Sequence, residues 1–183
     1  MRIETERLLL RPLSAGDVDA FAAYRADSDV ARYQSWDSGF TRAEAVRHVA
    51  GDHGVGLPAP GRWLQLAVVE RRDGRLAGDC GIHVEGDQPA TAEVGVTLAP
   101  AAQGRGFATE AVGAIVRALF EQHGMHRVFA TADDRNAPVH RVFDRLGFRL
   151  EARFVEADWF KGEWATLRVY GLLAREWRAR RGH

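Results

Sequence analysis

The chain of 183 residues has very little cysteine, very little lysine and no long apolar run. Cys80 is its only cysteine, so no internal disulfide can form, which is typical of a protein in a reducing compartment. Lys161 is the only lysine among 25 basic residues, and this excludes any mechanism that needs a lysine elsewhere. No apolar stretch reaches the length that a transmembrane helix requires.

Neither the charge balance nor the first ten residues indicate a nucleic-acid or membrane partner. The formal net charge is zero, so no overall field draws the protein to nucleic acid or to an anionic membrane. Segment 1–10 is charged and lacks an apolar core, so no secretory signal is predicted. We therefore expect a cytoplasmic protein. The apolar share of 46% is enough for the core of one domain.

Apolar periodicity and turn residues predict one mixed α/β domain over 1–183, with a core at about 5–175. The longest predicted helix, 104–123, lies between two predicted strands, and such a strand–helix–strand crossover makes its strands parallel. In order, the sequence predicts a strand at 5–13, helices that begin at Ser14 and at Thr41 (the second to about His53), strands at 63–70, 75–84 and 91–98, a helix at 104–123, a strand at 127–132, a helix at 137–146, strands at 148–155 and 164–173, and a frayed segment 174–183.

The segment from Gln103 to Ala108, QGRGFA, predicts a phosphate-binding loop before the longest helix. A helix N-terminus presents unpaired backbone N–H groups and the positive end of the helix dipole. Glycines at 104 and 106 let the backbone turn sharply and approach an anion. Two common nucleotide motifs do not fit, because no Lys-Ser/Thr pair follows the glycines and Thr109 stands where the dinucleotide fingerprint needs Gly or Ala.

The pattern Gln103-x-x-Gly106-x-Ala108 resembles the Gln/Arg-x-x-Gly-x-Gly/Ala signature of the GNAT superfamily of N-acetyltransferases. Residues 5–12 resemble the opening strand of its RimJ/RimL-like branch, and Asn136 with residues 146–148 resembles a later element, so the resemblance covers nearly the whole chain. It implies an α+β (mixed α/β) GNAT fold. Such a fold has a mixed, mostly antiparallel sheet of six to seven strands, a splayed parallel pair in the middle and about four helices on both faces.

The resemblance further implies that acetyl-CoA binds between the splayed strands as a co-substrate, with no metal. Asn136 would contact the cofactor arm, although the residues alone favour a helix N-cap before Pro138 equally. Gly95, inside a predicted strand, indicates either a bulge or packing clearance. The implied cofactor residues are Val96 and Leu98 for the pantetheine arm, Gln103, Gly104, Arg105, Gly106, Phe107, Ala108 and Thr109 for the pyrophosphate, and Asn136.

The resemblance offers two carboxylates as the base that takes a proton from the attacking amine. Asp158 matches the acidic residue of the branch, although it would equally be a loop carboxylate in solvent. Glu93 lies beside the expected splay and is the second candidate, with a salt-bridge role as its alternative. Relatives often carry a proton-donating Ser or Tyr where this chain has Val139 and Phe143, so an acid role there is excluded. A thiol with a pKa near ~8.5 leaves tolerably without such help.

The expected acceptor is a primary amine of low pKa, because an α-amine (pKa about 8) is far more often neutral at pH 7 than a lysine amine (about 10.4). It could be a protein N-terminus or a small molecule such as an antibiotic, a polyamine or an amino acid. Tyr33 and Trp36 are expected to wall its cleft, although core packing accounts for them equally. A non-catalytic CoA-binding module and a nucleotide-binding protein are the alternative functions, and both monomer and homodimer are open.

Two histidine patterns are expected to carry no chemistry. His140 and Asp144 form an HxxxD string on a predicted helix, where a surface pair at i,i+4 is favoured over a catalytic histidine. His123 and His126 have no third ligand at suitable spacing, so solvated histidines are expected there rather than a metal site.

Overall fold

A computed structural model describes residues 1–51 and 56–181, and in these residues eight strands form one sheet flanked by six helices. Every described helix is too short or too polar to cross a membrane. The strands are β1 (Ile3–Glu4), β2 (Leu8–Pro12), β3 (Trp63–Glu70), β4 (Leu76–Val84), β5 (Thr91–Leu98), β6 (Arg127–Asp133), β7 (Arg149–Phe160) and β8 (Glu163–Leu173), and the helices are α1 (Val18–Arg25), α2 (Ser28–Ala31), α3 (Arg42–Val49), α4 (Phe107–Glu121), α5 (Ala137–Leu146) and α6 (Ala174–Arg181).

The sheet has the spatial order β1-β2-β3-β4-β5-β6-β8-β7. Every neighbouring pair is antiparallel except β5 with β6, which are joined by α4 and run parallel as the crossover predicts. The predicted mixed sheet, mostly antiparallel with one parallel pair in its middle, is confirmed.

The parallel strands β5 and β6 pair over only three residues each. Their pairing begins at Thr91 with Arg127 and ends at Glu93 with Phe129. Beyond this point β5 stays paired with β4, while β6 stays paired with β8. The two strands therefore diverge inside the sheet, and the edges that face each other have no strand partner there among the described residues.

Neither feature expected at Gly95 is found in β5. Gly95 pairs in register with Gly81 of β4, so the strand has no bulge at this point. A Cβ added at Gly95 would have no other heavy atom within 4 Å, so packing clearance does not account for the glycine either. Both expectations for this residue were wrong.

Strand residues alternate between two apolar clusters, and helices therefore cover both faces of the sheet. Leu66 and Val68 of β3 belong to the cluster that contains α4 and α5. Ala67 and Val69, which point the opposite way, belong to the cluster that contains α1 and α3. Four apolar residues on one side of α4 are buried in the first cluster: Ala111, Val112, Ile115 and Leu119.

The described residues form eight strands and six helices, whereas six to seven strands and about four helices were expected. Very short elements account for part of this excess. β1 has two residues and α2 has four, and neither is long enough to show a period in the sequence. Asp27 caps α2 by accepting hydrogen bonds from the backbone N–H groups of Asp29 and Val30. The predicted end of α3 at His53 lies outside the described residues, and α3 ends at Val49.

The predicted frayed C-terminus is instead the helix α6, and that prediction was wrong over its described part. The Trp177 ring packs against Phe120 of α4, with ring centroids 6.1 Å apart. Glu176 accepts a hydrogen bond of 2.8 Å from the Leu173 backbone N–H and pairs with Arg149 of β7. The contacts with Phe120 and Arg149 join residues far apart in sequence, so the local basic composition does not reveal them.

A buried ion pair joins α1 to β4. Arg25 and Asp79 are 3% and 1% exposed, and Nη2 lies 3.0 Å from Oδ2. The Tyr24 hydroxyl and the Gln65 amide also donate to the Asp79 carboxylate. Burial and the neighbouring carboxylate raise the pKa of Tyr24, so its hydroxyl stays a neutral donor. The Arg25 guanidinium lies 3.8 Å from the centroid of the Trp36 ring and anchors it.

Asp79→Ala should lower the free energy of unfolding by about 3–5 kcal/mol, because it leaves the Arg25 charge buried without its partner. Urea unfolding followed by circular dichroism measures the change. Arg42→Ala removes an ion pair with Asp19 that is 69% and 80% exposed, and it should leave the unfolding curve nearly unchanged. Equal effects of the two substitutions would contradict a structural role for the buried pair.

Candidate active site

A cleft of about 390 Å³ lies where β5 diverges from β6. Its walls are the end of β5, the loop that leads into α4, the first turn of α4, and residues of α5 and the α2 region. All the predicted cofactor residues except Arg105 line it: Val96, Leu98, Gln103, Gly104, Gly106, Phe107, Ala108, Thr109 and Asn136. Residues that were predicted separately, from the end of a strand, the glycine loop and Asn136, therefore lie on one contiguous surface.

The loop before α4 has the geometry of an anion cradle. Gly104 and Gly106 have φ of 72° and 81°, in the left-handed region that favours glycine. Gly106 is the N-cap of α4 and offers no side-chain cap, whereas Asp27 and Thr41 cap α2 and α3. The N–H groups of the first turn of α4 are therefore free to bind a phosphate oxygen. A diphosphate fits this surface.

Arg105 departs from the other loop residues, because its side chain points away from the cleft. Its guanidinium makes two hydrogen bonds of 2.6 Å to the Glu70 carboxylate. Arg7 donates to the Arg105 carbonyl oxygen at 2.9 Å and pairs with Glu110 of α4 at 2.6 Å. Arg105 thus does not line the cleft, and its side chain fixes the loop to the end of β3.

The free edge of β5 faces the cleft at Val96 and Leu98. Gln103 reaches back along this edge, and its Nε2 donates to the Leu98 carbonyl oxygen at 3.1 Å. Asn136 is the N-cap of α5, yet its side chain makes no capping hydrogen bond within the part of the chain that the structure describes. Asn136 is also one of the residues that line the cleft. Strand edge and amide together suit a ligand that carries amide groups of its own.

Glu93 is the last residue of β5 that pairs with β6 before the two strands diverge. Glu93 is half-buried, and its carboxylate lies close enough to Thr131 of β6 for Thr131 to stabilise its charge. Burial raises the pKa of Glu93, and the nearby Glu85 raises it further, although Thr131 and His83 partly oppose this. A carboxyl group of raised pKa is a stronger base than an ordinary surface glutamate.

His83 and Glu85 adjoin Glu93, and the sequence analysis overlooked both. His83 Nδ1 lies 3.1 Å from a Glu85 oxygen, and one ligand atom from each of the three residues lies within 4.8 Å of the others. Such a group could also hold a metal ion, so the expectation of no metal stays a prediction. Strand alternation predicts which face of β4 carries His83. Only the register of β4 on β5 places His83 opposite Glu93.

The remaining predicted site residues are spread over the cleft and its surroundings. Tyr33 lines the cleft, and its hydroxyl lies 3.4 Å from the Arg135 carbonyl oxygen. Trp36 does not line it, and its Nε1 donates to the Arg25 carbonyl oxygen at 3.0 Å. Asp158 lies on β7 outside the cleft wall, and its side chain makes no hydrogen bond or ion pair with any other described residue. Catalysis by Asp158 and acceptor binding by Trp36 stay predictions.

The histidine of the HxxxD string is buried, so the expected surface pair with Asp144 was wrong. His140 is 7% exposed and stacks on the Tyr170 ring with centroids 5.6 Å apart. Its Nε2 lies 3.2 Å from the Asp134 carbonyl oxygen. The side of α5 that carries His140 packs on β8, which a helical spacing alone does not reveal.

Two arginines of α5 were also missed by the sequence analysis. Arg141 and Arg145 line the cleft, and neither has an ion-pair partner in the described residues. Their spacing of four puts both on one side of the helix, which is the only signal that the sequence carries. Unpaired guanidinium groups at this wall favour an anionic ligand.

The fold and the cleft together have the features of a site for a long phosphorylated ligand: two diverging strands, an uncapped helix N-terminus and a carboxylate at the point of divergence. The sequence profile of the acetyltransferase (GNAT) domain matches residues 7–149, and the chain therefore belongs to the GNAT family. It is an acetyl-CoA-dependent acyltransferase, as the motif around Gly106 predicted.

Relatives of known sequence and structure agree with this family. The chain is 31% identical over 180 residues to the uncharacterized N-acetyltransferase YnaD of Bacillus subtilis, covering 97% of this chain and 99% of that protein. It superposes on the GNAT-family acetyltransferase of Bacillus anthracis with a TM-score of 0.81 and 27% identity, covering 96% and 100%. The spermidine N-acetyltransferase of Vibrio cholerae, solved with CoA and spermine, shares the fold with a TM-score of 0.77 and 17% identity, covering 95% and 99%.

Gly106→Val should weaken acetyl-CoA binding by about tenfold or more, because a β-branched residue strains a left-handed backbone and moves the cradle. Isothermal titration calorimetry gives the dissociation constant. Gly124→Val is the matched control, since Gly124 also has positive φ but lies just beyond the other end of α4. Binding by Gly106→Val as tight as by the control would show that the loop does not hold the ligand.

Proposed function

We propose that the protein moves the acetyl group of acetyl-CoA to a primary amine by direct attack in a ternary complex. The observation that carries this proposal is a cleft at the end of β5 whose wall is an uncapped helix N-terminus, with Glu93 further back on the same strand as its last residue paired with β6. Bound acetyl-CoA supplies the thioester, and the side chains and backbone of this chain orient it, exclude water and accept a proton. A cytoplasmic location is part of the same proposal.

The cofactor residues act by charge and by backbone hydrogen bonds. The first-turn N–H groups of α4 bind the diphosphate, and Arg141 and Arg145 supply positive charge beside it. The unpaired edge of β5 at Val96 and Leu98 holds the amide-bearing arm as an added strand would, and one of its N–H groups polarises the thioester carbonyl. Asn136 binds the same arm with its side-chain amide.

Glu93 is the favoured base of the two carboxylates that the sequence offers. The amine attacks as a neutral nucleophile, and the proton that it releases passes to Glu93 directly or through one water molecule. The raised pKa of Glu93 suits this step, because it brings the proton affinity of the carboxylate closer to that of the amine. Asp158 stays the second candidate for the base.

A low-pKa α-amine, such as a protein N-terminus, is the proposed acceptor. Val139 and Phe143 stand where relatives often carry a proton donor, so the site is equipped for an amine that is already partly neutral at pH 7. This agrees with the resemblance to the RimJ/RimL-like branch. A polyamine is the second candidate, because Glu85 lies beside Glu93 and would bind a second ammonium group.

Thiol release from acetyl-CoA tests the proposed function with three amines: a short peptide with a free α-amine, spermidine, and Nα-acetyl-lysine. We expect the fastest release with the peptide and the slowest with the lysine ε-amine. A non-catalytic CoA-binding protein would release no thiol with any of them. Faster release with Nα-acetyl-lysine than with the peptide would refute the preference for a low pKa.

Glu93→Gln should lower kcat/KM by about 10²- to 10⁴-fold and leave acetyl-CoA binding unchanged. A base acts when deprotonated, so the wild-type rate should rise with pH through the raised pKa of Glu93 and rise again as the amine loses its proton. The variant should lose the lower of these two limbs in a pH–rate profile. Asp158→Asn is the matched control, and a larger loss in that variant would identify Asp158 as the base.

A further inference from the structure

Gly95 lies in the middle of β5, and neither its backbone conformation nor its packing in the folded protein requires a glycine there. Its φ does not lie in the left-handed region, and β5 runs through it in register with β4. A side chain would have open space, since no other heavy atom lies within 4 Å of an added Cβ. Glycine weakens a strand interior, and it often marks a point where a ligand approaches closely.

The other strand glycines in the described residues have evident reasons. A Cβ at Gly78 would lie 2.1 Å from a backbone oxygen, and one at Gly171 would lie 2.3 Å from the Glu151 carboxylate. A Cβ at Gly81, directly opposite Gly95, would lie 2.9 Å from the Trp63 ring. Among the glycines of the described strands, only Gly95 keeps its space open.

The open space lies between the cleft and the proposed base. Glu93, Gly95 and Thr97 alternate with Val94 and Val96, which pack on the cluster that contains α4, so the first three share the opposite face. Thr97 lines the cleft, and Glu93 carries the carboxylate. With a rise of about 3.3 Å per residue, Gly95 sits roughly 7 Å from each of them along the strand.

We infer that the space over Gly95 receives the carbon atom that bears the attacking amine, and that the missing side chain sets how large a substituent on this carbon the enzyme accepts. The inference rests on the proposed acetyl transfer and extends it to a substrate class. On the face that carries Glu93 and Thr97, Gly95 is the strand residue that lies between an amine at the cleft and the proton acceptor. The Trp63 ring, which covers Gly81 and stacks on His83, bounds the space on the β4 side.

This arrangement favours amines with a substituted carbon, as in the aminoacyl residue at a protein N-terminus. An unbranched aminoalkyl chain is slender enough to pass a larger residue than glycine, so it would not require the space. An α-amine carries its side chain and its carbonyl group on the same carbon, and both must fit over the strand. Gly95 is thereby a specificity-determining residue, not a catalytic one.

Kinetics with glycinamide, alaninamide and valinamide test this inference, because these amines have similar pKa values and differ only in the substituent. Gly95→Ala should keep kcat/KM for glycinamide within about threefold and lower it for valinamide by about tenfold or more, as expected for one methyl group in a fitted site. Gly95→Val should extend the loss to alaninamide. The dissociation constant of acetyl-CoA should not change, and the melting temperature should stay level or rise.

Gly16→Ala is the matched control, since it adds the same methyl group where the nearest side-chain atom lies 3.8 Å away, in a short turn before α1. It should change none of these quantities. Equal losses for glycinamide and valinamide in Gly95→Ala, unchanged kinetics, or a loss of acetyl-CoA binding would each overturn the inference.

The wild-type protein separates this inference from the proposed function. A wild-type enzyme that acetylates spermidine but none of the three amides would overturn the substrate class and leave acetyl transfer standing. A wild-type protein that binds acetyl-CoA but acetylates no amine would refute the proposed function, and the inference would fall with it. Active wild-type protein with an indifferent Gly95→Ala variant would refute the inference alone.

Discussion

The divergence of β5 from β6 after Glu93 is the constraint on which the rest of the site depends. Each strand keeps its outer neighbour, so the sheet opens in its middle without losing its remaining pairing. Because α4 follows β5 directly and leads to β6, the crossover that makes the strands parallel also brings the N-terminus of α4 to the open edge. A strand edge, a helix N-terminus and a carboxylate thus meet as a consequence of one topological feature.

Local stability is given up at several points around this opening. The N-cap of α4 is Gly106, which has no capping side chain, and glycine at this position costs a helix about a few tenths of a kcal/mol relative to a capping residue. Gly95 weakens β5, the strand that borders the opening, by roughly 0.5–1 kcal/mol relative to alanine. Such departures from local preference cluster at functional sites. The pair of Arg105 and Glu70 keeps the loop in place where regular structure does not.

Local charge, and not total charge, distinguishes the cleft wall from the point where the two strands diverge. The chain has a net charge of zero, yet Arg141 and Arg145 stand unpaired on the wall beside α5. The carboxylates of Glu93 and Glu85 lie together at the point of divergence. Positive charge therefore lies on α5 and negative charge at the point of divergence, a distribution that total charge does not reveal.

The sequence by itself determined the features that depend on contiguous residues. The bounds of β5 and the glycine loop at Gly104 and Gly106 follow from local pattern, because strand alternation and left-handed turns are properties of neighbouring residues. The family also follows from such a motif. The order of elements, read with the crossover rule, was enough to predict the parallel pair.

Only the tertiary structure decided which distant residues meet. Register on β4 places His83 opposite Glu93, packing on β8 buries His140, and contact with α4 orders Trp177. The side-chain direction of Arg105 depends on a partner 35 positions away, and the open space over Gly95 depends on every element around it. The physical reason is that conformational preference acts over a few residues, whereas register, twist and side-chain packing arise only when the whole chain folds.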